Sequence, residues 1–193
     1  MYIEKTLKLK NNLELEIIHD ESPESPREWD NLTRMVCFHQ NYWLGDQTTY
    51  KKDDFNNWEE LHDKIIREER PLIIKPLYMY DHSGITIKTT SFGDRWDSGQ
   101  IGYVWINPKN IDTIGTTMKD NETWDTYMER LDLYLENEVS VYDSYVQGNV
   151  YGYRIVDEEG DEQDSCYGFY GDDWRSNGLY EHVQSQLQNI DDL

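Results

Sequence analysis

Three pairs of segments in which apolar and polar residues alternate constrain the fold most strongly, because a turn sequence joins the members of each pair. The first pair is YIEKTLKL and LELEIIHD around Lys10-Asn11-Asn12, the second is PLIIKPLYMY and GITIKTTSF around Asp81-His82-Ser83-Gly84, and the third is NVYGYRIVD and DSCYGFYG around EEGDEQ. A period of two is typical of a half-buried strand, and a short turn between two such strands predicts a β-hairpin. We therefore expect three hairpins, with IGYVWIN at 101–107 as a further strand.

Helical patterns occupy the segments between these strands. Asn56 or Asn57 can cap one helix, and Pro108 can open a short helix that ends near Gly115. The longest pattern runs from about 121 to 146, and a closing amphipathic helix is expected over LYEHVQSQLQNI. The apolar positions of the longest pattern follow the helical period, at Trp124, Tyr127, Met128, Leu131, Leu135, Val139 and Tyr142.

Strands in hairpins with separate helices, and without strand–helix–strand alternation, predict an α+β fold. We expect an antiparallel sheet built from the hairpins, with one long amphipathic helix and two or three shorter helices. The 193 residues show no internal repeat and no linker, which predicts a single domain over 1–193, with an N-terminal hairpin at 1–20 and an acidic C-terminal half at 110–193. An aromatic content of 13% favours a core of large rings over a disordered chain.

The negative charge is concentrated in the second part of the chain. Of the net −21, residues 110–193 contribute −16, from 20 acidic and 4 basic side chains, whereas residues 1–109 contribute −5. Such a surface repels nucleic acids and anionic membranes and attracts basic proteins, so we expect neither direct nucleic-acid binding nor membrane binding. With no run of about 20 apolar residues and no secretion signal, a cytoplasmic location is expected.

Four residues are candidates for metal or nucleophilic chemistry: Cys37, His39, His82 and Cys166. They form no Cys-x-x-Cys or His-x-x-x-His pair, and the acidic segment 157–162 lacks the spacing of a calcium-binding loop, so no metal or other cofactor is expected. Cys37 and His39 share a face only if they lie on a strand. The sequence favours a non-enzymatic protein. The alternative is a small hydrolase or nucleotide-processing enzyme that uses Cys37, His39, His82 or metal-bound carboxylates.

The segment SPREWDNLTRMVCFHQNYWLGD, residues 25–46, is predicted to be a structural loop–helix element. Pro23 and Pro26 prevent regular structure at its start. We expect substitution of Cys37 by Ser or of His39 by Ala to leave function intact. The aromatic side chains available as anchors are Trp29, Phe38 and Trp43.

A second dense segment, GDRWDSGQ at 93–100, has two interpretations. Its two glycines allow tight turns, so it can be a structured loop that Trp96 anchors. Alternatively, it is a binding loop in which Arg95 and Trp96 contact a partner, because surface Trp and Arg dominate the energies of interfaces.

The segments SPREWDNLTRMVCFH, RWDSGQIGY and DSCYGFYG occur in this order within residues 25–171, with YDSYVQGNVYGYRI before the last of them. Together they resemble the signatures of an uncharacterised family of phage and prophage proteins. The resemblance implies a small protein that a virus or mobile element carries, often for dealing with its host. It implies no particular activity and no catalytic residues.

Acidic residues form a second periodic pattern on the long helix, at Asp125, Glu129, Asp132, Glu136 and Asp143. These positions are expected to form a stripe opposed to the apolar face, a regular row of negative charge on a helix that rises about 6 Å per four residues. An ordinary solvated helix face is the alternative interpretation. The protein is similar to acidic DNA-mimicking antirestriction proteins in charge only, with no shared motif.

These observations predict a phage-type binding protein that inhibits a basic, nucleic-acid-handling host defence protein, such as a nuclease, through its acidic surface. A structural or regulatory protein of a virion or replication complex is a further alternative. The residues expected to bind the partner are Asp125, Glu129, Asp132, Glu136, Asp172, Asp173, Arg95 and Trp96.

Overall fold

A computed structural model describes residues 2–9, 12–94 and 96–187 of the chain, with side chains as far as residue 184 in the last helix. The strands in these ranges are β1 (Ile3–Lys8), β2 (Glu14–His19), β3 (Thr33–Cys37), β4 (Ile74–Asp81), β5 (Ile85–Lys88), β6 (Ser98–Ile106), β7 (Val150–Val156) and β8 (Glu162–Tyr170). The helices are α1 (Trp58–Glu69), α2 (Pro108–Ile114), α3 (Trp124–Gln147) and α4 (Leu179–Leu187).

The chain divides into two compact units. Unit 1 consists of Met1–Ser25 with Ser144–Leu193, and unit 2 of Pro26–Asp143. Helix α3 belongs to unit 2 as far as Asp143, and its last residues belong to unit 1. The single domain expected over 1–193 stays a prediction.

Unit 1 is a four-stranded antiparallel sheet in the order β1–β2–β7–β8, with α4 packed on one face. Residues of the same parity on β2 and β7 point to this face, as the alternation of a strand requires. Trp174, which precedes α4, is 5% exposed and belongs to the same core. The buried members of this core are Leu7, Leu15, Ile17, Tyr151, Tyr153, Ile155, Trp174, Leu179 and Val183.

Unit 2 contains the second antiparallel sheet, in the order β3–β6–β4–β5, so that β3 and β5 are its edge strands. Helix α1 packs on one face, where Leu61 and Ile65 meet Val36, Tyr103 and Trp105. Residues of the opposite parity, such as Lys75 of β4, face the other side and contact α3. On this side, α3 buries the apolar side chains of one helix face, namely Tyr127, Leu131, Leu135, Val139 and Tyr142.

The predicted α+β class is confirmed, and the strands divide between two sheets. The three hairpins are confirmed as β1–β2, β4–β5 and β7–β8, although residues 10 and 11 of the first turn lie outside the described residues. The Asn57 side chain caps α1 by accepting the Glu60 N–H at 2.9 Å, and Pro108 opens α2. The described chain contains no helix with the length and apolarity needed to cross a membrane.

The predicted loop–helix element over 25–46 is wrong. This segment has one short 3-10 turn, Pro26–Glu28, followed by edge strand β3, which pairs with β6. A strand of five residues that contains Arg34 and lies at a sheet edge has too little alternation to be recognised from sequence alone. Trp43 is fully exposed and therefore anchors nothing, whereas Phe38 packs against the α1 core.

Gly102 of β6 packs so closely against β3 that a larger side chain at this position should destabilise the second sheet. A Cβ atom at this position would lie 1.8 Å from the Val36 carbonyl oxygen on β3, a backbone atom that cannot move without separating the strands. We expect Gly102→Ala to lower the free energy of unfolding by about 3 kcal/mol or more. The matched control is Gly99→Ala on the same strand, where an added Cβ atom would have no atom within 4 Å apart from its chain neighbours, and its effect should stay within about 1 kcal/mol. Urea unfolding measures both, and equal midpoints for the two variants would contradict the packing described here.

Candidate functional site

Lys75 binds two of the carboxylates that the sequence assigned to a partner surface. Its Nζ lies 2.5 Å from Asp132 Oδ1 and 2.8 Å from Glu136 Oε1. The Thr89 hydroxyl also donates to Glu136, at 2.7 Å. Burial lowers the pKa of Lys75, but the hydrogen bonds to Asp132 and Glu136 outweigh it and raise the pKa overall. This ammonium is therefore charged at neutral pH and fixes one flank of α3 to β4 and to the end of β5.

Two further α3 carboxylates accept backbone N–H groups from the edge strands of the second sheet. Glu138 accepts from the N–H groups of Leu32 (2.8 Å) and Thr33 (3.0 Å), and from the Thr33 hydroxyl. On the opposite edge, Asp143 accepts the Ile87 N–H at 2.6 Å. Because these N–H groups have no strand partner at a sheet edge, the carboxylates replace a neighbouring strand.

The sequence suggested that the acidic stripe lies opposite the apolar face of α3. The structure shows that it does not. Asp132, Glu136 and Asp143 lie on the flank of α3 that meets the sheet. Asp125 and Glu129 of the stripe are exposed and have no cationic partner within the described part of the chain. The side chains of Asp132 and Glu136 are 41% and 40% exposed, but both bind Lys75.

The other predicted partner-binding acids lie in unit 1. Asp172 and Asp173 are exposed in the segment after β8, and Asp173 lies 3.5 Å from the Arg175 guanidinium. In the β7–β8 turn, Asp157 accepts the N–H groups of Glu159 and Asp161 and shapes the turn. The unit thus exposes carboxylates at the hairpin turn and after β8.

At one end of the second sheet, hydrogen bonds bring the Tyr42 loop and the Asp97 loop to Asp81. Of the surface that results, the sequence predicted only Trp96 as a partner-binding residue. The Tyr42 hydroxyl donates to Asp81 Oδ1 at 3.5 Å, and the Asp81 N–H donates to the Asp97 carbonyl at 2.8 Å. The chain neighbours of these residues, Trp43 and Trp96, are 103% and 94% exposed. We name this group the aromatic–acidic surface; it comprises Tyr42, Trp43, Asp81, Asp94, Trp96 and Asp97.

Asp94 holds the loop that presents Trp96. Its Oδ1 accepts the N–H groups of Trp96 (2.6 Å) and Asp97 (3.0 Å). These two hydrogen bonds lower the pKa of Asp94, so its carboxylate is ionised at neutral pH. Trp96 does not anchor the loop, because Asp94 does so through the backbone. Arg95, the other residue predicted here, lies outside the described residues.

Three of the four candidates for catalysis, Cys37, His39 and His82, belong to unit 2, and Cys166 belongs to unit 1. Within the described residues of unit 2, no hydrogen bond, ion pair or ring contact joins any two of Cys37, His39 and His82. His39 stacks on Tyr42 with ring centroids 5.0 Å apart, and His82 Nδ1 lies 3.2 Å from Asp97. No group of three or more His, Cys, Asp or Glu side chains among the described residues could hold a metal ion.

Sequence reasoning missed Tyr42, Trp43 and Asp81, although the adjacent aromatics in NYWLG were a visible signal. It treated Trp43 as an internal anchor because nothing in the local pattern shows that the 39–47 loop meets the β4–β5 turn. That contact joins residues 39 positions apart in the chain.

No protein-family model, no curated protein and no solved structure matches this chain. The geometry of the described residues, the charge of the chain and the sequence resemblance are therefore the grounds for a function.

Because Glu138 binds the edge of the sheet and Glu129 does not, we expect their substitution by Ala to change the free energy of unfolding by different amounts. Glu138→Ala leaves the N–H groups of Leu32 and Thr33 without an acceptor and should lower the free energy of unfolding by about 2 kcal/mol. Glu129→Ala removes an exposed carboxylate on the same helix and should change it by less than about 0.5 kcal/mol. Chemical denaturation measures both values. An equal effect of the two substitutions would show that Glu138 does not bind the edge of the sheet.

We expect the thiol of Cys37 to be unreactive in the native protein. Burial raises its pKa from 9.0 to about 12, Asp46 adds to the rise and Arg27 opposes it, so the thiol stays protonated at pH 8. In a Cys166→Ser variant, Cys37 should react with a disulfide reagent at least about 100-fold more slowly in the native protein than in urea. Similar rates in the two states would contradict this environment and would reopen nucleophilic chemistry at Cys37.

Proposed function

We propose that the protein is a non-enzymatic binding protein that recognises a basic partner protein. The observation that carries this proposal is the full exposure of Trp43 and Trp96 on two loops that meet at Asp81. Large exposed aromatic side chains with a polar rim are typical of interaction sites.

The two indole rings give this surface its affinity. A tryptophan side chain buries about 150–250 Å² in an interface. At about 25 cal/mol per Å², burial of each ring contributes about 4–6 kcal/mol before the costs of association are subtracted. Two such rings suffice for a specific complex if the partner supplies complementary pockets.

The neighbouring carboxylates select the charge of the partner. Asp81 accepts from the hydroxyl of Tyr42, the chain neighbour of Trp43, and Asp94 accepts the backbone N–H groups of Trp96 and Asp97. An Arg side chain can bind a carboxylate through two N–H groups and also stack on a Trp ring, so this combination favours an Arg-rich surface. The net charge of −21 adds long-range attraction and raises the rate of encounter with such a partner.

Further exposed acids extend the negative surface of each unit. Asp125, Glu129, Asp172 and Asp173, expected on sequence grounds to bind the partner, are exposed. Asp132 and Glu136, expected there too, bind Lys75 instead. The partner that suits a folded polyanion best is a protein whose basic site normally meets phosphate, and with the phage-type signatures we propose a nucleic-acid-handling host defence protein.

A fluorescein-labelled peptide of about nine arginines tests the chemistry of recognition without a known partner. Fluorescence anisotropy should show binding to the native protein that weakens about tenfold between 50 and 300 mM NaCl. The double variant Trp43→Ser/Trp96→Ser should weaken binding at low salt by a further factor of about ten or more.

The matched control is Trp124→Ser, which removes an indole that is 54% exposed outside the aromatic–acidic surface. This variant should bind the peptide within about twofold of the native protein. Equal affinity of the double variant and the native protein would exclude this surface as the binding site. An affinity that does not change with salt would exclude recognition by charge.

A further inference from the structure

Two of the five histidines of the chain, His39 and His82, adjoin the aromatic–acidic surface. His39 precedes Tyr42 in the same loop, and their rings stack with centroids 5.0 Å apart. His82 follows Asp81 directly, and its Nδ1 lies 3.2 Å from Asp97 Oδ2. A histidine side chain changes its charge between about pH 5 and 8, whereas arginines and ordinary carboxylates keep theirs. The charge of this part of unit 2 therefore depends on pH in that range.

His39 organises the loop that carries Trp43, and it does so in its neutral form. Its Nδ1 accepts the Asn41 N–H at 3.3 Å. Among the described residues, the titratable group in contact with its ring is the phenol of Tyr42, which donates to Asp81. A ring nitrogen accepts a hydrogen bond only while it carries no proton. Protonation of His39 at Nδ1 therefore breaks the hydrogen bond to Asn41, two residues before the exposed Trp43 indole.

His82, when protonated, occupies an acid of the surface. The groups that face it are the carboxylates of Asp97 and Asp94 and the ring of Tyr80, whose centroid is 6.1 Å away. Protonated His82 forms an ion pair with Asp97. Its charge also adds to the effect of the Asp97 and Trp96 N–H groups, which lower the pKa of Asp94. Both carboxylates are then partly neutralised before a guanidinium group of a partner reaches them.

We propose that His39 and His82 make recognition of a basic partner pH-dependent, so that the aromatic–acidic surface binds above the range in which histidine gains a proton and releases its partner below it. This inference rests on the function proposed above. An arginine of the partner competes with protonated His82 for Asp97, so the complex favours the neutral imidazole. The Trp43 loop favours neutral His39 as well. Both histidines act in the same direction, and formation of the complex releases protons.

His62 provides a matched control in the same unit. It also forms a histidine–carboxylate pair, because its Nδ1 lies 3.3 Å from Asp63 Oδ1 within α1. Its ring contacts Tyr103 on the α1 side of the second sheet, with centroids 5.5 Å apart. His62 therefore titrates beside a carboxylate but organises no part of the aromatic–acidic surface.

Anisotropy of the arginine peptide at pH 8.0 and at pH 5.5, in 50 mM NaCl, tests the pH dependence. The peptide carries a rhodamine label here, because the emission of fluorescein itself changes over this range. We expect Kd to rise about tenfold from pH 8.0 to pH 5.5 in the native protein and in His62→Gln. The rise should be less than about twofold in the double variant His39→Gln/His82→Gln, because glutamine does not titrate. A tenfold rise in the double variant would overturn the proposal.

The backbone amide of Asn41 reports the state of the loop without any partner. In ¹H–¹⁵N NMR spectra its proton resonance should shift upfield as the pH falls from 8.0 to 5.5, because the hydrogen bond to His39 is lost, and His39→Gln should abolish this shift. An Asn41 resonance that does not respond in the native protein would overturn the role of His39. Absence of peptide binding at pH 8.0 would contradict the proposed function, whereas binding at pH 8.0 with an equal Kd at pH 5.5 would contradict the pH dependence alone.

Discussion

Carboxylates of α3 accept hydrogen bonds from backbone N–H groups at both edges of the second sheet. The packing of α3 on this sheet depends on these hydrogen bonds. Glu138 binds the start of β3, and Asp143 binds β5. Asp46 adds a third contact at the Met35 N–H, supported by Arg27, whose side chain is only 4% exposed. An edge strand with free N–H groups is a template for pairing with other chains, so these acids stabilise the unit and also protect it from aggregation.

This use of carboxylates divides the acidic residues into two sets. One set, which includes Asp46, Glu136 and Glu138, is held by strand N–H groups or by cations of the same unit, and Asp46 and Glu138 are 9% and 22% exposed. The other set, which includes Asp125, Glu129 and Asp172, is exposed, and the charge it presents to a partner is smaller than the net −21 implies. In the proposed function, recognition therefore depends on a second feature, the exposed indoles of Trp43 and Trp96. A surface of aromatic rings and carboxylates selects Arg-rich partners more sharply than carboxylates alone.

Local patterns were sufficient to predict the hairpins, the Asn57 cap of α1, the two ends of α2 at Pro108 and Gly115, and most of the apolar face of α3, because each depends on residues a few positions apart. Trp124, predicted on that face, is 54% exposed. Edge strand β3 was missed because its five residues gain their conformation from pairing with β6 and from the distant Glu138. The same limit affected the acidic stripe: its period is visible in the sequence, but its contact with Lys75 joins residues 61 positions apart. Trp96 was recognised by residue type alone, whereas the exposure of Trp43 depends on how loops and strands meet.

The division into two sets is tested most directly by the rate at which each carboxylate reacts. Carbodiimide couples glycine ethyl ester to accessible carboxylates, and mass spectrometry of peptides measures the rate at each residue. The native protein should label Asp125, Glu129 and Asp172 at nearly the rates of the urea-unfolded chain. Asp46 and Glu138 should label at least about tenfold more slowly in the native state than in urea, because strand N–H groups and Arg27 hold them. Labelling of Asp46 and Glu138 as fast as Asp125 in the native protein would contradict the account, because the sheet edges would then not be closed by these acids.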